Sequence, residues 1–327
     1  MDPAIVALAQ PALACKFEDG RFLDCEAADA FRMSRDPALS GEAAERALFA
    51  MLFASDERLR LLARSRFTQT VKPALLDKAN VAKLLAGIET ETNTEIRDGL
   101  AAIAGEADFE KLGLRAELEH LAASEKVAVR RSLAYRLLFH ETSPLAFEIV
   151  GKLSADADEA VRKSAATGLS NAVFSPTSPA CELLAKALAS PHGDDFVWAA
   201  GGSERCKDLQ DKALGFVEGR VKRPKEITDS AAVDYTLALD SVCSDPHARG
   251  VMELPSPSAE TRRRAFDAAL AMTSAEISNA SARSAAIGCL VACDPKRARP
   301  ELEKLLKDDA LADAAKKALG ELAKAAK

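Results

Sequence analysis

Aromatic residues are scarce in this sequence, and long hydrophobic runs are missing. Of its 327 residues, 5% are Phe, Tyr or Trp, with a single Trp and two Tyr, although 48% are hydrophobic overall. Cores built from sheets draw on aromatic and β-branched side chains, so the composition disfavours a β-sandwich. Alanine and leucine are abundant instead, and both are strong helix formers. The composition therefore predicts an all-α protein of closely packed helices without a transmembrane segment.

The sequence also lacks a surplus of positive charge. It contains 44 Lys and Arg against 50 Asp and Glu, which gives a net charge of −6. Affinity for nucleic acid comes largely from neutralising phosphates, which an acidic chain does poorly. Two basic clusters, 220–225 and 262–264, are exceptions, but exposed helix positions elsewhere carry mixed charge. We therefore expect nucleic acid not to be a partner.

Recognisable catalytic and metal-binding motifs are missing as well. The four histidines are isolated from one another in sequence: His120, His140, His192 and His247. No HExxH pair occurs, Ser170 lacks the second glycine of a nucleophile elbow, and Gly201-Gly202 lacks the following Lys-Ser/Thr of a phosphate loop. The sequence therefore predicts neither an enzyme nor a metal or cofactor site.

A helical pattern repeats along the chain. Each copy has a usually apolar residue, then an index position, then mostly small or apolar residues three and four positions later. The index positions are Arg60, Arg97, Arg130, Arg162, Trp198, Asp234, Arg262 and Arg283. Four residues before them stand Asp56, Asn93, Lys126, Asp158, Asp194, Ser230, Ser258 and Asn279. All but Lys126 are good N-caps, and the apolar offsets share one helical face, so each copy predicts a capped helix with a buried stripe.

Further helical segments lie between the capped helices: 75–88, 109–122, 145–153, 180–189 and 209–218. One such segment and one capped helix form two antiparallel helices, which is the length of an α-solenoid unit. Arg262 and Arg283 are too close for separate repeats, so we interpret them as the two helices of one irregular repeat. A closing pair, 296–307 and 311–326, has the Lys-rich outer face of a terminal cap. The pattern predicts roughly eight helix pairs.

One copy of the pattern carries a family resemblance. The residues that carry it best are Asp158, Val161, Arg162, Ala165 and Ala166. An Asp cap followed by Val-Arg and a small pair resembles the second helix of a HEAT repeat, and the resemblance covers roughly residues 45–327. It implies a right-handed α-solenoid of HEAT-like helix pairs, whose Asp and Arg side chains form a structural ladder between repeats.

The resemblance has consequences for the ladder and for the domain organisation. Arg97, Arg130 and Arg162 should each contact an acidic side chain or a helix end in an adjacent repeat. Trp198 and Asp234 replace the ladder arginine, so the ladder should be interrupted in the middle of the chain. We interpret residues 1–40 as an irregular N-terminal segment and 41–327 as the solenoid.

The resemblance is a weak guide to function, because such solenoids host many unrelated tasks. Together with the missing catalytic motifs, it favours a monomeric, non-enzymatic scaffold that binds an unknown protein partner on its concave face. The alternative is a HEAT-like enzyme that resembles a chromophore lyase or a DNA-repair glycosylase.

The stretch 194–202 is the most unusual in the chain. It carries the only Trp at an index position, and Gly201 and Gly202 stand where other copies have buried residues, so the helix should be shortened or bent. One interpretation is a degenerate repeat in which Trp198 fills a gap in the core. The other is a notch where a protein partner docks on Phe196 and Trp198. Further candidate partner-binding residues, taken from positions just after the index, are Arg131, Tyr235 and Arg263.

The first forty residues contain a hairpin signal. Asp19-Gly20 is a strong two-residue turn, and Phe17 and Phe22 fall at paired positions on either side of it. Cys15 and Cys25 stand near the two ends. We predict a disulfide between them, and the alternative is a reduced, irregular lead-in to the first helix.

The other cysteines give weaker indications. Cys206 and Cys243 are 37 positions apart, nearly one repeat, so they could be neighbours and form a disulfide. Cys181 is predicted to be a core residue. Cys289 and Cys293 share a helical face but lack the further ligands of a zinc site. The odd number, seven, leaves at least one free thiol.

The N-terminal residues bear on the compartment. An apolar run ends in Ala12-Leu13-Ala14 directly before Cys15, which resembles the end of a signal peptide or lipoprotein precursor. The alternative is a short N-terminal helix in a cytoplasmic protein. With the paired cysteines, the pattern favours a periplasmic or exported bacterial protein over a cytoplasmic one.

Overall fold

Helices account for 72% of the protein, and the prediction of an all-α fold is confirmed. The structure is a computed structural model that describes residues 2–67, 73–139, 143–173, 175–206, 208–244 and 257–325. Within these ranges it contains nineteen α-helices and one two-stranded antiparallel sheet. The chain divides into two compact units, Met1–Gly168 and Leu169–Lys327.

The first unit begins with a helix and a short hairpin. Its elements are α1 (Pro3–Leu13), β1 (Phe17–Glu18), β2 (Arg21–Phe22), α2 (Glu26–Met33), α3 (Glu42–Met51), α4 (Glu57–Arg66), α5 (Lys78–Thr90), α6 (Thr94–Gly105), α7 (Phe109–Leu112), α8 (Arg115–Ala122), α9 (Val127–Arg136) and α10 (Pro144–Leu153). Helix α11 (Glu159–Asn171) contains the boundary between the units. The helix predicted over 109–122 is broken into α7 and α8 because Gly113, at φ 65°, ends α7 in a left-handed turn.

The second unit consists of eight helices in the described ranges. They are α12 (Pro179–Leu188), α13 (Val197–Gly202), α14 (Leu209–Arg220), α15 (Asp229–Cys243), α16 (Ala259–Met272), α17 (Ala280–Cys293), α18 (Pro295–Leu305) and α19 (Ala312–Ala325). The helices around Arg262 and Arg283 pack as one pair, α16 and α17, and α18 and α19 form the closing pair, as predicted. Helix α13 has only six residues, which fits the expectation that its two glycines shorten it.

Successive helices pack as pairs that stack on one another within each unit. In the described ranges, seven pairs correspond to predicted repeats or to the closing pair and are in contact: α3 with α4, α5 with α6, α8 with α9, α12 with α13, α14 with α15, α16 with α17 and α18 with α19. The second helices also stack, α4 on α6 on α9 in the first unit and α13 on α15 on α17 on α19 in the second. The segment 2–40 packs on this framework, since α1 contacts α3 and α4 and β2 contacts α4. The division into 1–40 and 41–327 stays a prediction.

Five of the predicted N-caps are confirmed. Side-chain oxygens of Asp56, Asn93, Asp158, Ser258 and Asn279 accept hydrogen bonds from the first N–H groups of their helices. The predictions for Asp194 and Ser230 are wrong. Asp194 lies in a short 3-10 turn, Gly193–Asp195, and α15 is capped by Thr228, so it begins two residues earlier than expected.

The N-terminal hairpin is confirmed. Asp19 (φ 50°) and Gly20 (φ 72°) form the turn, and Phe17 pairs with Phe22 with ring centroids 5.2 Å apart. Cys15 and Cys25 form a disulfide, with Cα atoms 5.8 Å apart. The tip is held by Asn93, whose side-chain amide donates to the Gly20 carbonyl at 2.7 Å and to Glu57 at 2.8 Å while its oxygen caps α6. A single side chain thus joins the hairpin to α4 and α6.

Arginines form a ladder along the second helices of the first unit. Each guanidinium donates to the carbonyl six residues earlier, at the end of the preceding helix: Arg60 to Ala54, Arg97 to Glu91, Arg130 to Ser124 and Arg162 to Asp156. Arg60 also binds the Glu91 carboxylate, and Arg130 binds that of Asp156, each in the loop of the next pair. The expected contact with an acidic side chain or helix end of the next pair is therefore confirmed for Arg130, whereas Arg97 reaches the next pair through the hydroxyl of Ser132, in the middle of α9. The hydrogen bonds described for Arg162 lie within its own pair.

Loss of the Arg130 side chain should destabilise the first unit. Arg130 and Asp156 are largely buried and joined by two hydrogen bonds of 2.7 and 3.1 Å, so Arg130→Ala should cost about 1–2 kcal/mol of unfolding free energy. The neighbouring Arg131 is exposed, and Arg131→Ala should leave stability within about 0.5 kcal/mol of the parent. Equal effects of the two substitutions in urea unfolding would contradict the ladder.

The same ion pair predicts a pH dependence. Burial raises the pKa of Asp156, but hydrogen bonds from Arg130 and the Asp158 N–H hold it below its ordinary value of 3.8. A carboxyl with a lowered pKa stabilises the fold above the unfolded pKa and loses that contribution as the pH falls through the folded one. The stability difference between the parent and Arg130→Ala should therefore be constant above about pH 4 and shrink below it.

Candidate functional site

Three helices of the second unit, α13, α15 and α17, lie side by side and run in the same direction. Between α13 and α15, Asp194 meets Tyr235 just before α13, and Gly201 meets Ala238 two turns later. Between α15 and α17, Thr236 bonds the Ala282 carbonyl, and Cys243 is joined to Cys293 further along both helices. The order of contacts is preserved in both cases, so the three helices form a parallel layer.

Small residues bring the helices of this layer close together. A Cβ atom added to Gly201 would lie 2.8 Å from the Ala238 Cα, a separation that real atoms do not adopt. The Cys289 thiol, on α17, reaches the Thr236 carbonyl at 3.6 Å. The ladder is interrupted at Trp198 and Asp234, as expected, and close packing takes its place. The arginine pattern resumes at Arg283, which bonds the Thr273 carbonyl and pairs with Asp308.

One side of the layer is open and apolar. Val233 and Leu237, one turn apart on α15, are 42% and 50% exposed. On α13, Gly202 is exposed near Ser241, and Trp198 lies half-buried one turn before it. On α17 the exposed positions are one turn apart and small. We define the open face by Trp198, Gly202, Val233, Leu237, Ala285 and Gly288. Contiguous exposed apolar surface of this kind marks interaction sites.

The exposed charged side chains of the layer are all acidic. The only basic residue of α13, α15 and α17 is Arg283, which is buried and paired with Asp308. Helix α15 carries three aspartates, and Asp240 is exposed one turn beyond Leu237. By contrast, α4, α6, α9 and α11 carry ten basic and four acidic residues. The open face is therefore apolar with an acidic edge.

Two of the residues predicted to bind a partner are buried. Phe196 is fully buried and Tyr235 is 1% exposed, so the expectation that they lie on an accessible surface is wrong. The cause for Tyr235 is the Thr228 cap, because starting α15 two residues earlier turns the buried stripe by about 200° around the helix. The same shift exposes Val233 and Leu237, which the sequence pattern places at buried positions.

The other three residues predicted to bind a partner do not lie on one common surface. Trp198 lies on the open face. Arg263 is exposed on α16, outside the layer, and pairs with Glu260 and Asp267. Arg131 is exposed on α9 in the first unit. Of the five candidates, only Trp198 belongs to the open face, and a role of Arg131 or Arg263 in binding stays a prediction.

Tyr235 belongs to a polar cluster beneath the layer. Its hydroxyl donates to Asp194, which also accepts from Arg220 at 2.7 Å, and its ring packs edge-on against Phe216. Burial, followed by the hydrogen bond to Asp194, raises the pKa of Tyr235 well above 10. The cluster joins α14 and α15 to the turn before α13, so its role is structural.

The ionisation of Tyr235 can be measured directly. In a Tyr135→Phe variant Tyr235 is the only tyrosine, and its absorbance at 295 nm should not rise through pH 10–11. Because the folded pKa is raised, the cluster stabilises the fold below pH 10 and loses that contribution only as the pH climbs towards the folded value. Titration with an ordinary tyrosine midpoint would show that the hydroxyl is not held by Asp194.

The predicted disulfide between Cys206 and Cys243 is wrong. Cys206 is bonded to Cys181, with Cα atoms 5.4 Å apart, and Cys243 to Cys293, at 4.7 Å. Helix α13 ends before Cys206, which therefore turns back towards α12, whereas Cys243 is the last residue of α15 and meets the end of α17. Cys181 is thus not a plain core residue. Cys289 is the free thiol, and burial raises its pKa to about 12.

Metal clusters and membrane-spanning helices are both missing from the described residues. Among them, no group of three or more His, Cys, Asp or Glu side chains is arranged to hold a metal ion. None of the helices in the described ranges combines the length and the hydropathy needed to span a membrane. His140 and His247 lie outside the described residues.

Comparison with known proteins does not identify a family for this chain. No family model matches the chain, and no curated protein matches it. Among solved structures, an engineered protein is similar over 98% of both chains, with 18% sequence identity and a TM-score of 0.32. A score of this size does not establish a common fold.

Proposed function

We propose that this protein is a non-enzymatic binding module that holds a segment of a partner protein on the open face of its second unit. The observation that carries the proposal is the exposure of Val233 and Leu237 on α15, in the same layer of helices as the half-buried Trp198. Large apolar side chains at the centre of a surface patch are typical anchors of protein interfaces, and Trp is enriched among them.

The floor beneath the open face favours binding because it is held in place before a partner arrives. Gly201 packs directly on α15, and disulfides fix Cys206 behind α13 and join the ends of α15 and α17. A surface that is already ordered loses little conformational entropy on association. Its acidic edge at Asp240 selects a partner segment that combines apolar residues with Lys or Arg.

We further propose that the helix pairs are HEAT-type repeats in a right-handed superhelix and that the open face belongs to its concave side. The stacked pairs and the arginine ladder of the first unit support this interpretation. The three disulfides favour an oxidising compartment, such as the bacterial periplasm or the outside of the cell. Within it, the protein would act as a monomeric scaffold.

The proposal can be tested with the single tryptophan as reporter. A fourteen-residue amphipathic helix of Leu and Lys should bind and shift the emission of Trp198 to shorter wavelength, because the peptide removes water from the open face. The same helix with Glu in place of Lys should bind far more weakly, since the edge is acidic. Leu237→Arg should weaken binding of the Leu-Lys helix on the order of tenfold or more.

The matched control is Leu306→Arg. Leu306 is also in the second unit and 42% exposed, but it lies at the end of α18, outside the open face. It should retain the affinity of the parent. If both arginine variants bind equally, or if the Leu-Glu helix binds as tightly as the Leu-Lys helix, the open face is not the binding site.

A further inference from the structure

A recessed surface in the first unit lies between the N-terminal hairpin, α2, α4 and the start of α6. It encloses about 380 Å³, which is the size of a pocket for a small molecule. An adjoining cavity of about 410 Å³ shares Arg21 and Glu95 with it. We call the 380 Å³ cavity the hairpin groove. It is separate from the open face, so a ligand bound in it would not depend on the proposed function.

Six charged side chains line the hairpin groove, and four of them pair with one another. The six are Arg21, Arg32, Arg64, Asp24, Asp29 and Glu95. Arg32 pairs with Asp29 at 2.8 Å, and Arg64 pairs with Glu95 at 2.7 Å. In the described part of the chain, the side chains of Arg21 and Asp24 form no ion pair or hydrogen bond. One guanidinium and one carboxylate therefore remain open on the hairpin side of the groove.

Apolar side chains form the smaller part of the lining of the hairpin groove, which is mostly polar. Phe22 lines it from the hairpin, and Leu61 and Leu62, both buried, line it from α4. The Cys15–Cys25 disulfide closes the base of the hairpin, and Asn93 holds its tip. The hairpin that carries Arg21 and Asp24 is thus anchored at its base and its tip, and both side chains are exposed at the groove.

We propose that the hairpin groove binds a small zwitterion with an apolar body, of the amino-acid or short-peptide class. The ligand carboxylate accepts hydrogen bonds from Arg21, whose planar guanidinium matches a carboxylate in a bidentate manner. The ligand ammonium group pairs with Asp24, and the apolar body covers Phe22 and Leu61. A ligand with one positive and one negative charge would pair with both Arg21 and Asp24, the two charged lining residues that have no ion-pair partner among the described residues.

The test separates the two charge contacts by blocking each end of the ligand in turn. Four forms of the dipeptide Leu-Phe serve as probes in calorimetric titrations: free, N-acetylated, C-amidated and blocked at both ends. The parent should bind the free form roughly tenfold more tightly than either singly blocked form, as expected for the loss of one charged hydrogen bond. Arg21→Ala should no longer distinguish the free acid from the amide. Asp24→Asn should no longer distinguish the free amine from the N-acetyl form.

Two controls distinguish binding from folding. Arg35 is an exposed arginine of the same N-terminal segment outside the groove, and Arg35→Ala should keep the affinities of the parent for all four peptides. Asp24 lies at φ 45°, a conformation that favours glycine, so Asp24→Gly should raise the thermal midpoint while it loses the preference for a free amine. Absence of binding by the parent, equal affinity of the parent for all four forms, or unchanged ratios in Arg21→Ala and Asp24→Asn would each overturn the proposal.

Discussion

Replacement of both Cys243 and Cys293 by serine should remove about 4 kcal/mol from the unfolding free energy of the second unit. The bond closes a segment of 50 residues, and the loss of chain entropy that such a loop imposes on the unfolded state corresponds to about that amount. Domains are stabilised by only about 5–15 kcal/mol, so the change is a large part of the total. Denaturant unfolding followed by Trp198 fluorescence reports on this unit, because Trp198 is the only tryptophan.

The free cysteine provides the control for this experiment. Cys289 lies one turn before Cys293 on α17 and closes no loop. A serine hydroxyl at this position can donate to the Thr236 or Ala285 carbonyl that the thiol now contacts. Cys289→Ser should therefore cost no more than about 1 kcal/mol. A double variant as stable as the parent, or a Cys289→Ser variant as unstable as the double variant, would contradict the assigned pairing.

Gly201→Ala should destabilise the second unit by about 2–3 kcal/mol. The added methyl group would meet the backbone of α15, at 2.8 Å from the Ala238 Cα, so α13 and α15 would have to separate. The usual preference for alanine over glycine in a helix favours the opposite sign by about 1 kcal/mol and is outweighed. The same separation would disturb the open face, to which Trp198 and Leu237 belong, so binding of the Leu-Lys helix should weaken as well.

A second glycine, Gly288, allows the helix preference for alanine to be measured without the steric clash. It lies in the interior of α17, in the same layer, and a Cβ atom there would meet nothing within 4 Å. Gly288→Ala should stabilise the protein by about 0.5–1 kcal/mol. The two glycine variants should thus differ in sign in thermal and urea unfolding. Stabilisation by both would show that α13 and α15 are not in close contact.

Local chemistry explains why the helix caps and the hairpin could be predicted from the sequence. Asp56, Asn93, Asp158, Ser258 and Asn279 cap helices because each side chain satisfies N–H groups a few residues away. The hairpin forms for the same reason, since the Asp19-Gly20 turn sets the pairing of its flanking residues. These five helix starts, the hairpin and its disulfide could therefore be predicted from local spacing.

The candidate site was harder to predict from the sequence, because it depends on which of several similar local signals, such as neighbouring cap residues, the fold uses. Ser230 and Thr228 are both good caps, and the use of Thr228 decides whether Tyr235 or Leu237 faces outward. The predicted pairing of Cys206 with Cys243 assumed that α13 and α15 have equal lengths. Helix α13 has only six residues, so Cys206 lies beyond its end and bonds elsewhere. Which helix ends meet is a property of packing, and spacing in the sequence does not contain it.

The contact between Asn93 and Gly20 also constrains the order of events on the ribosome. Gly20 is synthesised 73 residues before the side chain that holds it, so the tip of the hairpin has no anchor until α6 has emerged. Cys15 and Cys25 are only 10 residues apart and can meet much earlier. Oxidation of this pair can therefore precede docking, and the chain would then carry a preformed loop to the helices that later receive it.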